Sequence, residues 1–386
     1  MSKNESSIAH YEATVASGLE TIAQSEVKDK IGVESEIQRG RVWFSTNLPV
    51  ERVLKLKSIN NLFVILYNRK LDDNEIPTNA ESLEALLMKV GDHCDWRVGM
   101  EKWQQMSGFG LDLDKILTKS EDLKSAQPKF RVSSNRFGPR HKFTSPEICS
   151  TFGHVVDTKF GWPIKLKDFD LQIMANFNEN HLYIGITLTP LALDRRNIVD
   201  TGYTTLRAAT CYSLLRIAKL ETGDIVLDPM AGSGAIPVEC CHGWNEEWLT
   251  FVLAGEIETI PVGKCRVNLD SYPKGPPRDL LQLDLRESPL RDESIDVFVS
   301  DLPFGRRHGS KKNNKVLYPA LLSEMGRMAR LGTGRASLLT QDYKSMNLAY
   351  RQYRHLWTMK SCNFVKVGNL SCHIYLLHRS TTKFDE

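Results

Sequence analysis

Residues 224–241 read DIVLDPMAGSGAIPVECC and residues 294–305 read SIDVFVSDLPFG; these two stretches decide the fold. IVLD (225–228) is a short apolar run that ends in an acid, as a buried strand would. Gly232 and Gly234 follow and lead into the helical pattern AIPVECC. Glycines suit a loop that bends sharply and lets a ligand approach its backbone, and the helix N-terminus beyond supplies free N–H groups. A Gly-x-Gly taken alone fits a plain tight turn equally well. Its surroundings give it weight: FVLAGE ends in Glu256, 28 residues after Asp228, and LLQLD ends in Asp284, 28 residues further on, with Leu285 behind it. Three acids at the ends of successive strands lie where open parallel sheets bind ligands. Glu256 is placed to accept two ribose hydroxyls, and Asp284 to meet an adenine amino group.

SIDVFVS then runs directly into Asp301-Leu302-Pro303-Phe304. An acid, a proline-constrained turn and an aromatic at a strand end fit a planar amine: the Asp301 carboxylate and the Leu302 carbonyl accept amine hydrogens, Pro303 fixes the bend, and Phe304 stacks on the ring. The plainer alternatives are solvated loop acids and a surface proline turn with a core phenylalanine. Four such elements in series favour the site.

Outward from this core, strand and helix patterns alternate from residue 224 to the end, which predicts a doubly wound α/β sheet. Upstream, YEATVASG, RVWFST and NLFVILYNRK read as strands, and LETIAQSEVKDKI and VERVLKLKSI as helices. SEDLKSAQPK reads as a linker. A second small unit follows, with a strand in KFRVSSNRFG, a helix opened by Ser145 and Pro146, and a hairpin turning at Asn178–Asn180. TTLRAATCYSLLRIAKL (204–220) reads as a helix.

The chain has 386 residues, 41% apolar and 25% charged, which excludes global disorder and predicts two or three domains. Net charge is only +3, from 50 basic and 47 acidic residues, so bulk charge announces no nucleic-acid partner. Eight cysteines without a Cys-x-x-Cys pair predict neither a disulfide scaffold nor a zinc site, and no metal is expected. Cys240-Cys241-His242 lacks chelating spacing and predicts buried thiols beside an exposed histidine; Trp244 and Trp248 read as core or contact residues. The polar start and the lack of a long apolar run predict no signal peptide, no membrane span and a reduced, intracellular setting.

Residues 224–378 resemble the class I S-adenosylmethionine-dependent methyltransferases, and DPMAGSG with DLPFG is similar to the branch that methylates exocyclic amines of nucleic-acid bases. FRVSSNRFGPRHKFTS (130–145), FGHVVDTKFGW (152–162) and FDLQIMANFNENHLYIGITLT (169–189) resemble a THUMP domain. The preceding unit resembles the ferredoxin-like domain that usually accompanies it, and RRNI (195–198) with TTLR (204–207) resembles the connector. The chain is thus similar to the THUMP-domain tRNA guanosine-N2-methyltransferases. The resemblance implies a ferredoxin-like domain over 1–126, a THUMP domain over 127–192, a connector over 193–222 and a Rossmann-like methyltransferase domain over 223–386. Glu256 stands where aspartate is common in the family, and Ala231 and Ser233 replace a Cys and a Thr.

The family also implies chemistry and partners. S-adenosylmethionine would lie on Asp228, Gly232, Gly234, Glu256, Asp284 and Leu285. The target would be guanine N2 in tRNA, in the acceptor stem, with the base flipped out of its stack against Asp301, Leu302, Pro303 and Phe304. Arg306, Arg307, Lys311 and Lys312, in a ten-residue run with five basic and no acidic residues, would meet flanking phosphates. Arg131, Arg136, Arg140 and Lys142, around Phe137, would take the single-stranded tRNA 3′ end. Arg195 and Arg196 fit either RNA contact or a salt-bridged connector. A small zinc-binding activator subunit is implied, adding a strand at a sheet edge near Asp284. The expected location is cytoplasmic, with a nuclear pool. Other readings are the same chemistry on a small nuclear RNA, a non-catalytic RNA-binding protein, and a dehydrogenase. The full acid and glycine set disfavours the last two.

Overall fold

The computed structural model describes residues 7–120, 122–138, 141–202, 204–244, 250–272, 275–304 and 311–384. The chain begins with β1 (Ala9–Thr14), α1 (Glu20–Ile31), β2 (Ser35–Gln38), β3 (Arg41–Thr46), α2 (Val50–Val53) and β4 (Asn61–Lys70). These strands lie in the order β4-β1-β3-β2, the antiparallel arrangement of a ferredoxin-like unit. The helix expected over VERVLKLKSI is only α2. Past Val53 the chain turns so that the backbone N–H groups of Lys57 and Ser58 meet the buried Glu26 carboxylate, at 2.9 Å each.

Next come α3 (Ala80–His93), α4 (Trp96–Ser107), α5 (Leu113–Ile116), β5 (Phe130–Ser133), β6 (Arg136–Phe137), α6 (Ser145–Phe160), β7 (Leu171–Asn178) and β8 (His181–Thr187). Helix α6 starts at Ser145 with Pro146 in its first turn, and the capping side chain is Thr144, in a reciprocal box with Glu147. The expected hairpin is β7–β8, closed by Glu179 at φ 55°. Strand β8 also pairs with β4, from Phe63–Thr187 to Lys70–His181, so both N-terminal units share one eight-stranded sheet.

The C-terminal body holds α7 (Ala208–Ala218), β9 (Ile225–Asp228), α8 (Ala235–Trp244), β10 (Phe251–Glu256), α9 (Thr259–Asp270), β11 (Arg278–Gln282), β12 (Val297–Asp301), α10 (Lys311–Met328), β13 (Arg335–Thr340), α11 (Tyr343–Gln352), β14 (Trp357–Val367) and β15 (Leu370–Arg379). Helix α7 is shorter than the expected 204–220, because Gly202 and Thr205 close a turn before it. The sheet order is β11-β10-β9-β12-β13-β15-β14, with only β15 antiparallel to its neighbours. The order reverses between β9 and β12, and at such a switch point the loops diverge and leave a ligand crevice.

The bodies share a continuous apolar core, from Tyr11 and Phe44 through Tyr212 to Val299. Polar contacts reinforce the junction: Arg216 pairs with Asp29, the Lys30 ammonium sits 5.0 Å from the Tyr212 ring centre, and Lys366 N–H donates to Ser17 O at 2.8 Å. Gly18, at φ 99°, lies so close to β14 that a Cβ there would stand 2.1 Å from Phe364 O. Among the described residues, no helix is long and apolar enough to cross a membrane.

Candidate active site

The glycine loop leaves β9 at Asp228. The carboxylate of Asp228 is buried, and its Oδ1 accepts from the Ser300 hydroxyl at 2.8 Å and from Met230 N–H at 3.2 Å. These bonds lower its pKa, but burial outweighs them and pushes the group up to about 7. Gly232 has φ 55°, with nothing within 4 Å of where a Cβ would stand, so the loop is open on that side. Gly234 has φ 85° and faces the opposite situation: a Cβ would lie 2.7 Å from Cys265 Sγ.

Glu256 ends β10 beside this loop. Its Oε2 accepts Gly232 N–H at 2.9 Å, and its Oε1 accepts the N–H groups of Ile257 and Glu258. A carboxylate has about four acceptor positions, so the half-buried Glu256 retains one, on Oε2, for a hydroxyl donor. Asp284 lies two residues past the end of β11 and caps a single 3-10 turn, Leu285–Glu287. Its carboxylate is forked by the Arg286 guanidinium, which holds it below the usual carboxylate range, and Leu285 is buried beneath.

Asp301 ends β12 on the other side of the switch point. The residue is half-buried, yet Oδ1 is shut off from solvent and has no hydrogen-bond partner among the described residues. Burial, then the neighbouring Asp228 charge, pushes its pKa up to about 8. Leu302 is buried and its N–H donates to Leu339 O at 2.9 Å, which continues the β12–β13 ladder into the turn. Phe304 is half-buried against the core. Two buried side chains of α10 hold the turn from behind: Pro303 O accepts from Tyr318 Oη at 2.7 Å and from Asn314 Nδ2 at 3.0 Å. Sequence reasoning missed this pair. An Asn and a Tyr four apart on a helix give a signal only once their target is known.

The connector proves to be part of the site's frame. Asn268, fully buried on α9, accepts from Val199 N–H and Asp200 N–H, and donates to Asp200 O and Ser233 O, all at 2.8–2.9 Å. Arg196 is salt-bridged to the buried Glu239 at 2.6 Å and donates to Lys57 O at 2.8 Å, whereas Arg195 is exposed. Cys240 and Cys241 are buried as expected; His242 is half-buried, not exposed, because it packs on Tyr272 with ring centres 3.8 Å apart. Among the described residues no group of His, Cys, Asp and Glu is arranged to hold a metal ion.

The expected RNA-contacting residues divide. Arg136 and Lys142 are exposed, and Phe137 beside them is 68% exposed. Arg131 is engaged instead, 4.0 Å over the Phe169 ring and bonded to Gln172. Lys312 is exposed near the start of α10. Arg140, Arg306, Arg307, Trp248 and the side chains of Lys311 and Trp244 lie outside the described residues. A cleft of about 510 Å³ at the end of the N-terminal sheet is lined by Arg39, Lys70, Phe137 and His181, among others; sequence reasoning missed Arg39 and Lys70.

Comparison with known proteins gives the family and the fold. Residues 195–373 match the family described as UPF0020: RMKL-like, methyltransferase domain. The tRNA (guanine(6)-N(2))-methyltransferase THUMP3 of Bos taurus is 32% identical over 451 aligned positions, covering 96% of this chain and 88% of that protein. The chain belongs to the THUMP3 tRNA guanine-N2-methyltransferase family. The U6 snRNA (guanine-N(2))-methyltransferase THUMPD2 of Mus musculus is 30% identical, but the match covers 75% of this chain and only 53% of that one. The crystal structure of TrmN from Thermus thermophilus superposes with a TM-score of 0.77 at 23% identity, over 96% of this chain and 99% of that one, so the whole two-body architecture is shared. In this THUMP3-family chain, the glycine loop and the Asp301–Phe304 turn follow the ends of the neighbouring strands β9 and β12.

Proposed function

We propose that this chain transfers a methyl group from S-adenosylmethionine to N2 of a guanosine in the tRNA acceptor stem, at position 6 as the relatives' names indicate. One observation carries the reading beyond family membership: the solvent-shielded Oδ1 of Asp301, without a partner among the described residues, lies on the strand next to the glycine loop, at the sheet's switch point. A buried acceptor without a partner is costly unless a ligand supplies the donor.

The residues fit the methyl donor. The open face of Gly232 admits a ligand against the backbone, Glu256 keeps one acceptor position for a ribose hydroxyl, and a cation beside the Asp228–Asp301 pair would draw off the protons that burial holds on it. S-adenosylmethionine supplies a methyl group activated by a positive sulfonium. The protein's share is orientation. Asp301 Oδ1 and the Leu302 carbonyl accept the two amine hydrogens and aim the nitrogen lone pair, which is otherwise delocalised into the purine ring. Such alignment lowers a barrier by up to about 7–11 kcal/mol. As the methyl carbon passes to the nitrogen, its bond to sulfur would break and leave the neutral thioether; the positive charge that grows on the nitrogen would be stabilised by ionised Asp301, which would accept the released proton. Phe304 replaces the stacking that the flipped base loses, worth roughly 1–3 kcal/mol.

For RNA binding, the reading assigns phosphates beside the target to the 306–312 run and the single-stranded 3′ end to the surface around Arg136, Phe137 and Lys142, within a THUMP domain over 127–192 that follows a ferredoxin-like domain over 1–126. Replacing Lys312 together with Lys311 flattens the salt dependence of tRNA binding if they meet phosphates. For the partner, β11 is the edge of the catalytic sheet, and Ile257, Ile260 and Val267 beside it are 52%, 76% and 49% exposed. A small zinc-binding activator adding a strand to β11 covers both the edge and these side chains. The reading places the enzyme in the cytoplasm, with a nuclear pool, which fractionation checks.

The test is methylation of total RNA with labelled S-adenosylmethionine, with and without the activator, followed by nucleoside and position mapping. N2-methylguanosine in the tRNA acceptor stem is expected. Label confined to a small nuclear RNA would transfer the chemistry to that substrate, and no label with the activator present would sink the reading.

A further inference from the structure

Behind the turn at 301–304, the hydrogen-bond donors are ordered by simple counting of hydrogens. Tyr318 has one hydroxyl hydrogen and two oxygen neighbours at 2.7 Å, Pro303 O and Thr340 Oγ1. Pro303 O accepts only, so Tyr318 donates to it, and the Thr340 hydroxyl must donate to Tyr318. Thr340 Oγ1 in turn accepts Asp342 N–H at 2.9 Å. The chain therefore runs in one direction, from the Asp342 amide through Thr340 and Tyr318 to the Pro303 carbonyl.

A second branch reaches the same oxygen. Asn314 has two amide hydrogens, and its closest acceptors are Pro303 O at 3.0 Å and Asp342 Oδ2 at 3.1 Å, ahead of Tyr318 Oη at 3.5 Å. The Asp342 carboxylate is itself fixed by Ser345, whose N–H and hydroxyl donate at 3.2 and 2.8 Å. It therefore sets which way the Asn314 amide points. Tyr318, Thr340, Asn314 and Asp342 are all buried, so water does not substitute for a lost partner.

We propose that Tyr318 and Asn314 are positioning residues: by jointly holding the Pro303 carbonyl they fix the plane of the turn, and thereby the direction in which Asp301, the Leu302 carbonyl and Phe304 meet the target base. The inference rests on the reading of 301–304 as the turn that grips that base. Neither side chain bonds to Asp228, Glu256 or the glycine loop, so the effect falls on the base and not on the methyl donor. Thr340 acts one bond further back, giving Tyr318 its direction.

The test uses the full chain with its activator and a tRNA substrate. Tyr318→Phe and Thr340→Val each lower kcat, by roughly 10–100-fold for a misplaced reacting group, while KM for tRNA and the Kd of S-adenosylmethionine stay within about two-fold, as expected for groups outside uniform binding. Thr340→Ser, which keeps the hydroxyl, restores kcat. With 2-aminopurine at the target position, emission of the RNA complex without methyl donor differs between Thr340→Val and both wild type and Thr340→Ser. Unchanged kcat in both variants would overturn the inference, as would a Thr340→Ser enzyme as impaired as Thr340→Val, or a loss that tracks cofactor affinity and melting temperature. A wild-type chain that methylates no RNA removes the functional reading and this inference with it. Active wild type with indifferent variants removes the inference alone.

Discussion

Asn268 donates to the Ser233 carbonyl at 2.8 Å while its own carbonyl accepts the N–H groups of Val199 and Asp200, so one buried amide ties the connector to the glycine loop. All four of its bonding positions are used. Asn268→Ala strands the buried Ser233 carbonyl, at about 1–3 kcal/mol, and frees three part-buried backbone groups of the connector. We expect a clear fall in denaturant midpoint and weaker S-adenosylmethionine binding by calorimetry. Unchanged cofactor affinity in a stably folded variant would show that the connector does not support the loop.

The two loop glycines differ in kind. Gly232→Ala meets no neighbour and costs only the left-handed backbone, about 1–2 kcal/mol. Gly234→Ala adds a collision with Cys265 Sγ at 2.7 Å. Gly234→Ala is therefore the more destabilising change, and Cys265→Ala recovers part of its loss in melting temperature. Equal effects of the two glycine changes, with no recovery, would contradict this account.

Asp301→Asn keeps the shape of the turn but removes the charge that the proposed function sets against the reacting nitrogen. Loss of a group that stabilises developing charge costs about 10²–10³ in kcat. S-adenosylmethionine still binds the variant. Near-normal turnover by Asp301→Asn or Asp301→Ala would assign the amine to other groups.

Burial raises Asp228 from 3.8 to about 7 and Asp301 from 3.8 to about 8 in the free protein. The folded chain then binds more protons than the unfolded chain between about pH 4 and 8. The stability these groups contribute is complete below the unfolded pKa and is lost as pH rises through the folded values. Asp301→Asn should flatten the decline in melting temperature over that range. A cation beside the pair favours the ionised form, so S-adenosylmethionine binding releases protons and tightens with rising pH, more than binding of the uncharged thioether product. Calorimetry in two buffers of different ionisation heat measures the release. Equal pH dependence for donor and product would refute the coupling.

Arg196 faces a Glu239 carboxyl whose pKa burial already raises, and it also donates to Lys57 O in the N-terminal body. Arg196→Ala leaves a buried acid without its cation, at a cost of about 3–5 kcal/mol. Arg196→Ala combined with Glu239→Gln costs less than Arg196→Ala alone. If removing Arg196 left the urea midpoint unchanged and weakened only tRNA binding, the connector arginine would be an RNA contact instead.

Some of this architecture is written locally. NLFVILYNRK is β4 from end to end, and IVLD, FVLAGE and the run into Asp301 are strands whose last residues stand at the sheet rim. Apolar periodicity and a terminal acid are properties of neighbouring residues, and hydrophobic burial acts on them wherever the strand goes. The same patterning overextended α2 to Ser58 and Ile59, because a tertiary contact with Glu26 ends that helix.

By itself, then, the sequence determined the two classes of body, the strand-end acids, the glycine loop and the turn at 301–304, all set by residues a few positions apart. Only the tertiary structure decided that β4 and β8 join the N-terminal units into one sheet, that Asn268 reaches back 69 residues to the connector, and that α10 clamps Pro303 from behind. Those pairings rest on hydrogen bonds whose partners have no fixed spacing along the chain, so no local pattern announces them until the sheet brings the groups together.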